Sequence, residues 1–271
     1  AYKMLKRITI RECVMKEQLR REIVNALMDN ELAIANKLLA VDTPKSLFKY
    51  RAGEQRDIDA LKENKVWISR AIYLDDEEDA RFRIRNVDAV CSVIDKMATQ
   101  NEKFKNPKYK RDVSTIAETS KMDSLVCSFS ENSENEYMWK KYANEYKGFC
   151  IEYDFVELMN SNNLLLVPVS YSLKREMDIR ECNNKQYMIF MQLFTKYSVG
   201  SNGEPWSEQL EWRYACFTKT LGVLDGEKGK LISVPIPKKI IFGKNMSEEN
   251  KIQIMDWIDA KKYNIETQQM L

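Results

Sequence analysis

The sequence contains no histidine at all. Ser-His-Asp and Cys-His nucleophilic sites, HExxH metal sites and HxE deaminase sites all need an imidazole as base or ligand, so these classes of enzyme are excluded. The remaining acid–base groups are carboxylates, lysines, tyrosines and thiols. Any reaction that the chain catalyses must therefore use these groups.

Glycine and proline are also scarce, with 8 Gly and 6 Pro in 271 residues. Neither a Walker loop nor a GxGxxG phosphate cradle occurs, and no long flexible linker is available. We expect one domain over residues 1–271, with a helical extension at 1–43, a core at 44–243 and a final helix within 244–271.

The charges nearly cancel, with 43 Lys and Arg against 41 Asp and Glu, so no global field attracts nucleic acid. No run of about 20 apolar residues predicts a membrane span, and the charged N-terminal stretch does not resemble a signal peptide. Six scattered cysteines without a CxxC pair predict free, buried thiols and no metal site. Together these features predict a cytoplasmic protein.

Hydrophobic periodicity predicts an α+β fold with a mainly antiparallel, mixed sheet flanked by N-terminal, central and C-terminal helices. Helices are expected within 11–40 and at 57–63, 87–97, 135–146 and 186–197, and after Ser247 as N-cap. Gly148 is expected as the C-cap of the helix at 135–146. Strands are expected at 46–50, 65–69, 125–130, 149–153, 164–171, 211–217, 231–236 and 239–242.

Several short motifs follow one another along the chain. They include Leu47-Phe48-Lys49-Tyr50-Arg51, Cys127-Ser128-Phe129-Ser130-Glu131, Met138-Trp139, Tyr142-Ala143, Lys147-Gly148, Cys150-Ile151-Glu152 and Glu211-Trp212-Arg213. In this order they resemble the bacterial domain-of-unknown-function family 2971, from about Leu47 to Gly243. Three departures from that pattern are Tyr146 in place of a histidine, Gln209 in place of a glutamate, and the altered loop at 74–77.

The chain also resembles ADP-ribosyltransferases that carry an Arg motif, a Ser-x-Ser motif and a Gln/Glu-x-Glu motif in this order. The matching positions are Arg51, Ser128 with Ser130, and Gln209 with Glu211. The resemblance implies NAD as cofactor, with its pyrophosphate on the arginine fork and its ribose near the serine hydroxyls. The acceptor macromolecule is not identified by the sequence.

The resemblance also assigns roles to the last motif. Glu211 would bind the ribose 2′-hydroxyl and stabilise an oxocarbenium-like transition state, while Gln209 would orient the acceptor. Two residues apart on one strand, both side chains would share a face. Tyr50, Trp139 and Tyr142 are further candidate contacts to the nucleotide, although the helical spacing of the last two is more typical of a core stripe.

Plainer interpretations remain open for the charged residues. Arg51 also fits a surface ion pair, Glu211 and Arg213 on one face of a strand also fit pairs with neighbouring charges, and the acidic run at 75–79 also fits a solvated loop or a helix N-terminus.

Two other functions remain open for the chain. A histidine-free, metal-dependent nuclease would use Asp75, Asp76, Glu152 and Asp154. A non-catalytic interaction module would use the aromatic helix and the terminal helices. The basic stretch at 103–111 is expected to be an exposed loop.

Overall fold

The computed structural model describes residues 17–111, 120–171, 176–178 and 185–270. Part of the predicted N-terminal helices, at 11–16, lies outside these residues, as do Cys13 and Cys182. The other four cysteines are free, and Cys127 and Cys150 are buried as expected.

Strands and helices are interspersed along the described residues. The strands are β1 (Ser46–Arg51), β2 (Lys65–Arg70), β3 (Arg83–Arg85), β4 (Ser124–Ser130), β5 (Phe149–Asp154), β6 (Leu165–Pro168), β7 (Glu176–Asp178), β8 (Glu211–Phe217), β9 (Gly229–Ser233), β10 (Lys239–Phe242) and β11 (Glu266–Gln269). The helices are α1 (17–28), α2 (Leu32–Leu39), α3 (Gln55–Lys62), α4 (Val87–Gln100), α5 (Glu136–Lys141), α6 (Phe155–Asn160), α7 (Lys185–Phe194), α8 (Thr218–Leu221) and α9 (Glu248–Lys261).

A nine-stranded sheet organises this part of the chain. Its order is β11-β10-β5-β1-β4-β2-β9, and β8 and β6 continue from β4 as a branch. All pairs within it are antiparallel except β10 with β11. The predicted α+β fold with a mainly antiparallel, mixed sheet is therefore confirmed.

The two faces of the sheet bury different sets of apolar side chains. Leu125 and Phe129 of β4 pack on one face with residues of α3 and α9, in a cluster that includes Ile58 and Trp257. Val126 faces the other way and packs with residues of α1 and α7. Because successive side chains of a strand point to opposite faces, β4 is buried on both sides. This explains why Leu125, Val126 and Cys127 follow one another without a polar residue between them.

The two edges of β4 are paired differently. One edge pairs with β8 over the full length of both strands, whereas the other edge is shared by β1 and β2, which diverge from each other and leave part of β4 without a neighbour. On the shared edge, β1 pairs only at Phe48 with Ser130, and β2 pairs only with Val126 and Leu125. Residues 127–129 lie between these two contacts. We call this region, with the diverging parts of β1 and β2, the sheet split.

Local predictions near α5 were partly wrong. The helix covers Glu136–Lys141 and not 135–146, since Asn144, Glu145 and Tyr146 all adopt positive φ angles of 49°, 53° and 64°. Gly148 is not a helix cap. A Cβ atom on it would lie 1.9 Å from the carbonyl oxygen of Arg51, so a glycine is required where β5 passes the end of β1.

Elsewhere the boundaries agree closely with expectation. β8 and β10 match residue for residue, and Ser247 caps α9 by accepting a hydrogen bond from the backbone N–H of Asn250 at 3.3 Å. β6 is shorter than predicted, β9 begins two residues earlier than expected, and the short strands β3, β7 and β11 were missed. None of the α4 residues, all of which are described, is buried despite their helical apolar spacing.

Replacing Gly148 by alanine tests the close approach of β5 to β1. We expect a loss of about 3 kcal/mol in unfolding free energy, since overpacking against backbone cannot relax by a side-chain rotation. Urea unfolding measures this loss.

Gly203→Ala is the matched control, because Gly203 has φ +82° but open space around it. It should lower the unfolding free energy by only about 1 kcal/mol, because alanine adopts a left-handed backbone conformation at about that cost. Equal losses in the two variants would contradict the role assigned to Gly148.

Candidate functional site

A cavity of about 240 Å³ lies at the sheet split. Its walls come from β1, β2 and β4, from the loop at 73–79, from the end of α5 and from the segment 206–211. The lining mixes aromatic rings with charged and polar side chains. The sheet split therefore produces the kind of concave, partly apolar site that binds small molecules.

The cavity brings together most of the residues that the sequence singled out. Those that line it are Tyr50, Arg51, Ser128, Tyr142, Gln209 and Glu211. They come from β1, β4, the segment after α5, the 3₁₀ turn before β8 and the start of β8. Their functional roles remain predictions, but their shared location does not depend on those roles.

Two candidate residues do not reach the cavity. Trp139 is fully buried, stacks on Tyr146 with 6.0 Å between ring centroids, and donates from Nε1 to the carbonyl of Ser133 at 2.7 Å. Ser130 is also fully buried, and its hydroxyl donates to the backbone carbonyl of Gln209 at 2.7 Å. Neither side chain is placed to contact a ligand in this cavity. Both are structural.

Gln209 and Glu211 do not lie on one strand, contrary to the prediction. Gln209 ends a 3₁₀ turn, Leu210 adopts φ 46°, and β8 begins at Glu211. The two side chains nevertheless meet at Lys196. Its ammonium lies 3.0 Å from Glu211 Oε2 and 3.3 Å from Gln209 Oε1.

Lys196 belongs to a group of four buried charges. Arg213 donates from Nε to Glu211 Oε1 at 2.7 Å and from Nη2 to both oxygens of Asp79, at 2.9 and 2.7 Å. Lys196 contacts Asp79 at 3.1 Å as well as Glu211. We call Asp79, Lys196, Glu211 and Arg213 the charge quartet. Two cations balance two carboxylates, which is the condition for burying charge at tolerable cost.

The quartet sets the protonation states of its members. Burial opposes ionisation of Glu211, but the positive charges of Arg213 and Lys196 outweigh it and hold the pKa of this carboxyl below its ordinary value. Burial also opposes the charge on Arg213, yet Asp79 and Glu211 raise its pKa. Glu211 is therefore an ionised hydrogen-bond acceptor at neutral pH.

Hydrogen-bonding capacity remains in this cluster. A carboxylate offers about four lone-pair sites, and the Arg213 and Lys196 contacts use three of those on Glu211. An ammonium can only donate, so the side-chain oxygen of Gln209 faces Lys196 and Nε2 faces away. Gln209 Nε2 is buried and has no hydrogen-bond partner among the described residues.

Tyr142 adds a further polar group to the cavity. Burial, and then the negative charges of Glu211 and Asp75, raise the pKa of its phenol. It stays protonated and can donate one hydrogen bond. Beside it, Lys141 lies 5.4 Å from the centroid of the Tyr142 ring and 3.6 Å from Glu204 Oε1.

Arg51 approaches the cavity from a different direction. Its guanidinium pairs with Asp57, which also accepts from the backbone N–H groups of Gly53 and Glu54 at the start of α3. Strand alternation and this pairing place Arg51 on the α3 face of the sheet, whereas Glu211 lies on the face that contacts α7. They line one cavity from opposite faces because the sheet is open at the split.

The sequence did not identify Asp79, Lys196 and Arg213 as members of one site. The acidic run at 75–79 was expected in solvent, yet Asp76 and Asp79 are buried, at 8 % and 6 % exposure. Asp76 accepts from the hydroxyl of Ser201 at 2.9 Å. The plainer interpretation of Glu211 and Arg213, ion pairs with neighbouring charges, agrees with the contacts of both side chains, which also pair with each other.

The four carboxylates of the nuclease hypothesis do not assemble. Glu152 accepts from the hydroxyl of Ser46 at 2.6 Å, and Asp154 caps α6 through the N–H groups of Val156 and Glu157. Across the described ranges, no group of three or more acidic or cysteine side chains is placed to hold a metal ion.

Comparison of the chain with family models, with curated proteins and with solved structures finds no match. Of the helices in the described part of the chain, none has both the length and the apolar character needed to cross a bilayer.

Glu211→Gln tests the quartet through stability. The native pKa of Glu211 lies below its value of about 4.3 in an unfolded chain, so its ionised form stabilises the fold above that pH. This contribution is lost as pH falls through the native pKa. We expect the variant to lose about 3 kcal/mol at pH 7, with the difference from the parent shrinking below pH about 4.

Urea unfolding across pH 3–7 measures both effects. Glu266→Gln is the control, since Glu266 pairs with Lys239 at 2.7 Å but is 67 % exposed, and such surface pairs contribute about 0–1 kcal/mol. A small difference at pH 7 would show that the quartet does not stabilise the fold, and a difference unchanged between pH 7 and pH 3 would show that the ionised form of Glu211 is not what stabilises it.

Proposed function

We propose that this chain is an ADP-ribosyltransferase-like enzyme that binds NAD in the cavity at the sheet split, acting in the bacterial cytoplasm as a toxin or defence effector. The observation that carries the proposal is that Arg51, Ser128, Gln209 and Glu211 line one cavity. Residues from all three motifs of the resemblance are thus represented there.

Glu211 supplies the central group of the proposed reaction. Its remaining lone pair accepts a hydrogen bond from the ribose 2′-hydroxyl, and the surrounding charges hold the carboxylate in place. When the bond between ribose and nicotinamide breaks, nicotinamide leaves with the bonding electrons and positive charge develops on the ribose. A fixed acceptor beside that charge needs no reorganisation, which is where such groups contribute most.

Gln209 and the aromatic residues complete the proposed binding site. The unpartnered Nε2 of Gln209 is a donor for an acceptor group or for a ligand oxygen. Tyr142 and Tyr50 supply ring surfaces beside it, and the hydroxyl of Tyr50 is held by the carbonyl of Asn132 at 2.8 Å. A planar, polar ring such as nicotinamide suits walls of this composition.

The acceptor of the ADP-ribosyl group is part of the proposal only as a class. A macromolecule, or water in its absence, would attack the ribose carbon as nicotinamide departs. Nicotinamide release therefore reports the reaction whichever acceptor is used.

Glu211→Gln tests the proposed role of the carboxylate. Nicotinamide release from NAD should fall on the order of 10²–10³-fold, as expected when one preorganised group at the developing charge is weakened. Rates should be measured at a temperature where both proteins are folded by circular dichroism.

Glu152→Gln serves as the control, since Glu152 lies on β5 and does not line the cavity. Its rate should equal that of the parent. NAD turnover that is unaffected by Glu211→Gln, or a parent protein that neither binds nor cleaves NAD, would overturn the proposed function.

A further inference from the structure

We propose that Lys49, and not Arg51, is the residue that binds the phosphate of a ligand in the cavity at the sheet split. The inference rests on the proposed site but not on NAD itself, because any phosphate-bearing ligand would meet the same ammonium. It follows from how the cations of the cavity are paired.

Three of the four cationic side chains that line the cavity already have carboxylate partners. Arg51 pairs with Asp57, Lys196 with Asp79 and Glu211, and Lys141 with Glu204. A paired cation attracts an anion weakly, because its partner cancels most of its field. Arg51 keeps unused N–H donors but contributes little net charge.

Lys49 is the exception among these four. Its ammonium donates to the backbone carbonyl of Ser128 at 2.7 Å and lies 5.4 Å from the centroid of the Phe129 ring. Neither contact neutralises its charge, and it forms no ion pair with a described carboxylate. An ammonium has three donors, so two remain for phosphate oxygens.

The position of Lys49 is set by the sheet split. Where β1 leaves β4, the carbonyl of Ser128 has no partner from β1, and the Lys49 side chain takes that place. The ammonium is thereby held at the cavity wall and partly removed from water. Partial burial strengthens its interaction with an incoming anion relative to a freely exposed lysine.

Lys49→Gln tests the inference, since glutamine keeps a donor for Ser128 but removes the charge. Binding is measured by calorimetry with inorganic pyrophosphate, NAD and nicotinamide riboside, which lacks phosphate. We expect pyrophosphate and NAD to bind about ten- to a hundredfold more weakly to the variant. Nicotinamide riboside should bind equally to both proteins, and Lys49→Arg should retain most of the affinity.

Lys230→Gln is the matched control. Lys230 also donates to a backbone carbonyl, that of Leu221 at 2.8 Å, but lies on β9 and does not line the cavity. This variant should bind every probe as the parent does. A uniform loss with all probes in Lys49→Gln would indicate structural damage and overturn the inference.

The outcomes separate this inference from the proposed function. If NAD binds the parent and Lys49→Gln alike, Lys49 is not the phosphate contact, although the NAD proposal stands. If pyrophosphate binds through Lys49 while NAD does not bind, the inference stands and the proposed function falls. If the parent binds no phosphate-bearing probe, the inference is overturned.

Discussion

The buried guanidinium of Arg213 is the constraint on which the candidate site depends. Removing this charge from water costs several kcal/mol unless its donors are satisfied. The N–H donors of Arg213 are satisfied by Glu211 from β8, by Asp79 from the loop after β2 and by the carbonyl of Leu193 from α7. Three separate segments are thus held against one face of the sheet. The loop at 73–79 forms a wall of the cavity because Asp79 is held there.

Hydrogen bonding of the backbone also shapes the sheet split. A strand that loses its neighbour exposes polar groups that must be paired elsewhere. At the carbonyl of Ser128 a lysine side chain provides the pairing. This carbonyl at the opening in the sheet is therefore satisfied without a neighbouring strand. The same close approach that fixes Gly148 against Arg51 keeps β1 aligned with β5 while it leaves β4.

Much of the fold could be predicted from the sequence, but the charge quartet could not. Short runs between turn signals predicted β8 and β10, and a serine before a helical pattern predicted the start of α9. Alternation says which residues share a face, not what covers that face. Arg213 and Asp79 are 134 positions apart, and charged residues usually indicate surface. The error at Gln209 came from Leu210, whose left-handed φ of 46° is uncommon for a residue with a branched side chain.

Because of these ion pairs, the groups that would attract a ligand into the cavity differ from those that would orient it. Because Arg213 and Lys196 neutralise Glu211 and Asp79, the quartet has little net field beyond its own contacts. In the proposed site Glu211 would therefore act at short range, through the direction of its free lone pair. Attraction of an anionic ligand must come from a charge that has no partner. In the proposed site the two tasks would fall to opposite faces of one sheet, with the carboxylate on β8 and, on β1, the Lys49 ammonium, which pairs with no carboxylate of the described residues. A ligand that spans the split would engage both, and one that reaches only one face would not.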